Sequence, residues 1–251
     1  MSTKNIDTQF VKEIFNEDGM INYYTDIVNK IGLFNCERIL YKKYLDFSDK
    51  ILDVGCGAGR TTIPLYNMGY RNIIGLDIAE EMIKSAKSLC NNIDFVVGDA
   101  TNLQYNDQIF DKIIFSFNGL MLIPKIENRI KALREINRVL KDEGYFIFST
   151  PYIDNKLNSE FWRSEKGKWD KYKNDNRLYE FGDLLLEEFD IKDIFVHIPS
   201  ISEVIECLTE SGFELVDYVP RLDICLEEEY IEGQLDDGLF WITKKFANNI
   251  K

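Results

Sequence analysis

The spacing of apolar positions changes character twice along the chain. Between about Ile21 and Leu45 it is helical: Tyr24, Ile27, Val28 and Ile31 recur on one face, and Ile39, Leu40 and Tyr44 continue in a second segment. From Lys50 onward, short β-branched runs alternate with amphipathic stretches. The pattern predicts strands at Lys50–Val54, Asn72–Leu76, Ile93–Val97, Lys112–Phe117 and Tyr145–Ser149. Between them it predicts a helix ending near Gly69, a second over Glu80–Cys90 and a third opened by Pro124. That third helix carries the stripe Ile126, Ile130, Leu133, Ile136 and Leu140, and "KDEG" closes it. Nearly continuous apolar strands alternating with helices imply a parallel sheet covered on both faces.

After Pro151 the alternation stops. Residues 152–192 are rich in aromatic and charged side chains. A short strand is expected at Ile194–Ile198, and Ser200 followed by Glu203 reads as a capping box opening a helix that ends at Gly212. Phe213–Val219 and Leu239–Lys244 read as two closing strands, separated by an acidic segment with Glu227, Glu228, Glu229, Asp236 and Asp237. The expected organisation is a helical cap over 1–45, an α/β core over 46–151, an insertion over 152–192 and completion of the core sheet over 193–251.

Composition narrows the function. With 251 residues, 45% of them hydrophobic, the chain suits one α/β domain with additions. It has 30 basic and 43 acidic residues, a formal charge of −13. Such a surface repels phosphate backbones and weighs against a nucleic-acid partner. The five cysteines form no C-x-x-C pair, which points to a reduced, cytoplasmic compartment with no disulfide framework and no metal site. The start, "MSTKNIDTQF", lacks the apolar core of a signal peptide, and no apolar run is long enough to span a bilayer.

The candidate chemistry lies in "ILDVGCGAGRTT", Ile51 to Thr62. A strand, a glycine turn and a helix start expose backbone N–H groups, and the helix dipole adds attraction for an anionic group. Dinucleotide sites want G-x-G-x-x-G. Here Gly55, Cys56, Gly57, Ala58 and Gly59 give G-x-G-x-G, with Arg60 where the third dinucleotide glycine would stand. Asp53 would repel a pyrophosphate and attract an ammonium. Asp77, ending the second strand, can accept from both hydroxyls of a ribose. After the third strand, Asp99 can accept from an exocyclic adenine amine, and Ala100 offers a backbone N–H.

These segments, taken in order, resemble the class I S-adenosylmethionine-dependent methyltransferases. "LDVGCGAGR" is similar to the family's first motif, "GLD" to its ribose acid, "GDATNL" to its adenine motif, "FDKIIFSFNGL" to its fourth-strand motif and "RVLKDEGYFIFST" to its turn into the fifth strand. The resemblance implies a Rossmann-like, mostly parallel seven-stranded sheet whose last strand is antiparallel, and S-adenosyl-L-methionine as cofactor. It implies cofactor contacts from Asp53, Gly55, Cys56, Gly57, Gly59, Asp77, Ile78, Asp99, Ala100, Phe117 and Asn118. Where many relatives have a His-Leu pair after the fourth strand, this chain reads Met121-Leu122.

Methyl transfer is an in-line displacement that rests on positioning and exclusion of water, and it needs a base only when the nucleophile must lose a proton. The expected activity is transfer to an N or O nucleophile of a small molecule. The alternatives are an RNA or protein acceptor, a non-catalytic cofactor-binding module and a nicotinamide-dependent dehydrogenase. His197, the single histidine, is a candidate base or a structural residue. Tyr23 and Tyr24 either close over the cofactor or pack in the core, and Tyr24 is a candidate for binding substrate. Trp162, Trp169 and Tyr172 share a helical face and either form a core stripe or bind substrate in a lid, the role the resemblance implies for this insertion. Lys166, Lys168, Lys171 and Lys173 make the segment locally basic, which suits a solvated face or an anionic substrate.

Overall fold

The computed structural model describes residues 5–154, 156–157, 159–171, 175–188, 190–227 and 238–246. Tyr172, Lys173, Glu228, Glu229, Asp236 and Asp237 lie outside the described residues.

Three helices precede the sheet: α1 (Thr8–Phe15), α2 (Asp18–Lys30) and α3 (Asn35–Tyr44). The first was not read from apolar spacing, yet its signal is local: the Asp7 carboxylate accepts from the Phe10 N–H and caps it. The core then alternates as expected, through β1 (Ile51–Val54), α4 (Thr62–Met68), β2 (Ile73–Asp77), α5 (Glu80–Leu89), β3 (Asp94–Val97), β4 (Phe110–Phe115), α6 (Ile126–Val139) and β5 (Leu140–Pro151). Gly69 caps α4 in the left-handed conformation. Leu140 and the "KDEG" segment, expected at the helix end, belong to β5 instead, because Leu140 pairs with Phe110 at the foot of β4.

The second half adds α7 (Glu160–Trp169), β6 (Asp183–Glu188), β7 (Ile191–His197), α8 (Ile201–Glu210), β8 (Phe213–Pro220), α9 (Arg221–Ile224) and β9 (Gly238–Lys245). The seven-stranded sheet runs β3-β2-β1-β4-β5-β9-β8. Its first five strands are parallel, and β9 inserts antiparallel between β5 and β8. The strand expected at Ile194–Ile198 is β7, and it does not join this sheet: it pairs antiparallel with β6 in a separate hairpin.

Alternation along β1 sets the layers. Leu52 and Val54 pack with Leu133 and Ile136 of α6 and Val204 and Leu208 of α8 on one face. Ile51 packs with Leu65 of α4, Ile83 and Ala86 of α5 and Tyr41 of α3 on the other. The strand order reverses direction between β1 and β4, and in an open α/β sheet that is where a crevice opens beyond the strands' carboxyl ends. Among the described residues no helix is long and apolar enough to cross a membrane.

Candidate active site

Two adjoining cavities sit over that crevice. The first, of about 810 Å³, is lined from the sheet by Gly55, Gly57, Asp77, Ile78, Asp99 and Ala100. Thr8, Val11 and Phe15 of α1 close it from above. The second, of about 1160 Å³, lies between the core and the β6–β7 hairpin. Phe15, Tyr24, Phe117 and Leu122 line both cavities and form the passage between them.

The glycine turn has the shape a closely approaching ligand requires. Gly55 and Gly57 hold φ of +63° and +54°, a region that side chains disfavour. A Cβ at Gly55 would stand 2.5 Å from the Phe115 ring, whereas at Gly57 it would meet only Tyr24, at 3.6 Å, and otherwise protrude into the cavity. Asp77 fixes the turn from beneath, one oxygen accepting from the Gly57 N–H at 2.8 Å and the other from the Ala79 N–H at 2.8 Å. A carboxylate has about four acceptor positions, so two remain for hydroxyl groups. Burial pushes the Asp77 carboxyl up, and the backbone N–H groups of Ala79 and Gly57 counter this. The Asp99 carboxylate accepts from the Thr101 N–H at 2.7 Å and lines the same cavity. Bare backbone, a paired-hydroxyl acceptor and a second acid in one crevice fit an adenosine-bearing ligand.

The other expected residues divide. Asp53 is fully buried and lines neither cavity; Oδ2 accepts from the Thr62 hydroxyl at 2.6 Å, and Oδ1 is buried without a hydrogen-bond partner. Burial raises its carboxyl to about 7. Cys56 and Gly59 are packing positions: the Cys56 thiol sits against Gly75, and the space beyond Gly59 is filled by Ile63 and Phe95. Phe117 and Asn118 are consecutive left-handed residues, with φ of +53° and +61°. Such strain costs about 1–3 kcal/mol per residue and persists only where the surroundings enforce it. Here the Asn118 N–H donates to the Ser149 hydroxyl, and the Phe117 ring meets Tyr24 edge-on and lies against Phe34. The result aims Phe117 into the passage and Asn118 into the second cavity.

His197, Trp162 and Trp169 are not brought to either cavity. Trp162 is buried against Phe161 and Phe181. His197 is fully buried, with Nδ1 on Asp183 at 2.8 Å and Nε2 on Glu203 at 2.9 Å. Glu203 also pairs with Arg129, which holds Glu180 at 2.6 Å. Glu180, Asp183 and His197 stand close enough to share a cation, but these same groups already serve the ion-pair network. Met121 is buried in the core, while its neighbour Leu122 reaches the passage.

One pair escaped the sequence reading. The Arg60 guanidinium is clamped on Glu37 by two hydrogen bonds, of 2.7 and 2.6 Å, with both residues buried. Phe34 and Phe117 lie over it, 4.7 and 4.9 Å from the ring centroids. Arg60 stood out only as the residue that spoils a dinucleotide motif, and nothing in α3 marked Glu37.

A doubly wound sheet, a glycine turn over its switch point and a ribose-type acid define a nucleotide-cofactor enzyme of the Rossmann type. The comparisons make that class particular. The family model described as "Methyltransferase domain" matches residues 45–226, and the chain belongs to that family. An uncharacterized protein of Methanocaldococcus jannaschii is 33% identical over 82% of this chain and 77% of its own. A ubiquinone/menaquinone biosynthesis C-methyltransferase of Rickettsia bellii is 28% identical over 77% of this chain and 81% of its own. The crystal structure of a SAM-dependent methyltransferase from Methanosarcina mazei shares the fold, with TM-score 0.70 and 23% identity over 87% of this chain and 100% of its own. The protein is a class I methyltransferase, and its cofactor is S-adenosylmethionine.

Asp77→Ala is expected to weaken S-adenosylhomocysteine binding by roughly 1.5–3 kcal/mol, the range for hydrogen bonds to a charged group. The structure adds a second loss, since the Gly57 N–H then has no acceptor. Isothermal titration checks this, and unchanged affinity would remove Asp77 from the site.

Proposed function

We propose that this methyltransferase acts on an N or O nucleophile of a small molecule bound in the second cavity. The carrying observation is that cavity itself, walled by aromatic side chains and opening onto the cofactor site at Phe117 and Tyr24. The relatives named for ubiquinone and menaquinone biosynthesis support a metabolite rather than a polymer as acceptor. The cofactor, when bound, supplies an activated methyl group. Asp77 and the glycine turn hold its adenosine end, and Phe117 and Tyr24 bound the channel in which the acceptor lines up. The hairpin lines the cavity with the apolar side chains of Leu186, Ile194 and Val196. His197 is not part of this step, because both its ring nitrogens are engaged away from the cavities.

The test is transfer of a tritiated methyl group to the low-molecular-weight and macromolecular fractions of a cell extract. Label is expected in the small-molecule fraction. Leu186→Trp, which fills the cavity from its wall, should cut that transfer by roughly tenfold or more while the cofactor still binds. Label confined to protein or RNA would overturn the proposal.

A further inference from the structure

The second cavity has a charge pattern that its aromatic walls do not require. Phe15, Tyr24, Phe34, Phe117 and Phe240 line it, and two carboxylates open onto it, Glu37 and Glu188. Glu37 is committed: its oxygens accept two N–H groups of Arg60 and the Phe34 N–H. Glu188, at the end of β6, is different. Among the described residues its side chain has no hydrogen bond or ion pair, although Tyr23 and Tyr24 line the same cavity. Its charge is felt by Tyr23 and Tyr24, where it adds to the larger effect of burial in raising both phenols. Glu188 and Tyr24 line the same cavity, and Tyr24 also lines the passage to the cofactor site. Arg221 enters the same cavity from α9, and at the Cys225 thiol its charge acts against that of Glu227.

We infer that the acceptor is a hydrophobic amine whose nitrogen is held by the Glu188 carboxylate; this rests on the small-molecule reading above. Aromatic faces with a nearby carboxylate favour a cationic nitrogen, and a chain of formal charge −13 draws cations toward it. The chemistry has the same polarity. Before transfer the bound ammonium gives one proton to Glu188, which passes it on to solvent and is a carboxylate again. The nitrogen lone pair forms the new bond to the methyl carbon, while sulfur keeps the electron pair of the broken carbon–sulfur bond and becomes a neutral thioether. The positive charge passes from sulfur to nitrogen, where a carboxylate stabilises it. Glu188 is exposed, so its proton leaves directly to solvent. An alcohol gains nothing from this arrangement, and a carboxylate-bearing acceptor is repelled.

The test uses 2-phenylethylamine, 2-phenylethanol and phenylacetate, which share a phenyl-and-two-carbon skeleton but differ in charge. Each is titrated by ligand-observed NMR into the complex with S-adenosylhomocysteine. The amine is expected to bind more than about tenfold tighter than the alcohol, with phenylacetate weakest. Glu188→Gln should bring the amine to the level of the alcohol, and Glu188→Asp should keep part of the preference. Neither should change the unfolding midpoint or S-adenosylhomocysteine affinity, since among the described residues the side chain has no hydrogen bond or ion pair to lose. Tritiated methyl transfer to the amine should follow the same order. Equal or tighter binding of the alcohol or phenylacetate, or an amine affinity indifferent to Glu188→Gln, would overturn the inference. Failure of all three probes to bind a complex that holds S-adenosylhomocysteine would instead remove the cavity as an acceptor site, sinking the small-molecule reading and the inference with it.

Discussion

Arg60→Ala is expected to lower the free energy of unfolding by about 3–5 kcal/mol, because it leaves Glu37 charged and buried without its partner. Glu37 is 1% exposed and Arg60 is 3% exposed, so water cannot replace the lost contacts. Glu37→Leu should cost a comparable amount by stranding the guanidinium, whose remaining acceptors among the described residues are the Gly32 carbonyl at 3.0 Å and the Ser116 hydroxyl at 3.3 Å. Replacing both residues by apolar ones of similar volume should recover much of the loss, since a buried pair gains little net stability once desolvation is counted. Binding is coupled to this. The guanidinium supports Phe34 and Phe117, and freeing Phe117 removes one enforcement of a strained backbone at the passage. Urea unfolding of the two single variants and the double variant, with and without S-adenosylhomocysteine, measures both effects. A midpoint unchanged in Arg60→Ala would mean that the pair does not secure the site.

What the sequence showed and what it hid follow from the range of the interactions. Strands β1, β2, β4 and β5 were legible because they are largely buried and read as apolar runs, and the edge strand β3 because Ile93, Phe95, Val96 and Val97 keep its run apolar before Gly98. The glycine turn, Asp77, Ile78, Asp99 and Ala100 were legible because a ligand that approaches the backbone demands those residue types at fixed spacing. Ser200 was legible as a cap, and its hydroxyl does accept from the Glu203 N–H. The Glu203 side chain, however, goes to His197 and Arg129 instead of completing the box. That choice depends on partners from other elements, which no local pattern reveals. The same holds for Glu37 with Arg60, 23 positions apart. Glu227 accepts from the Asn35 and Cys36 N–H groups across 192 and 191 positions. In β6, "DLLLEE" is too short and too acidic to read as a strand, and it is one only because β7 pairs with it.

His197→Ala is expected to destabilise the β6–β7 hairpin by about 3–5 kcal/mol without abolishing methyl transfer by the molecules that remain closed. The substitution removes the partner of Asp183 Oδ1; Asp183 is fully buried, and among the described residues it otherwise accepts from the Tyr179 and Glu180 N–H groups, both on Oδ2. The hairpin lies outside the seven-stranded sheet, so the loss should appear first as local opening. Amides of Ile194 to His197 should exchange roughly 10² to 10⁴ times faster than in wild type, the factor that such an energy implies. The pH dependence follows from the charged groups. Burial pulls the imidazole down, but the hydrogen bonds it donates to Asp183 and Glu203 outweigh it, and His197 is raised overall. Glu203 is lowered: burial opposes this, and the bond to His197 with the nearby charges of His197 and Arg129 prevails. A raised histidine contributes fully below its ordinary value and loses that contribution as pH climbs through the raised one. A lowered glutamate contributes above its ordinary value and loses it as pH falls through the lowered one. The gap between wild type and His197→Ala should therefore be widest between these limits, near pH ~6, and should narrow in alkali. Hydrogen exchange across that range, run beside turnover on the same preparations, separates the two roles. Normal protection with abolished turnover would make His197 a base, whereas lost protection with retained turnover would make it the buried clasp of the wall that closes the second cavity.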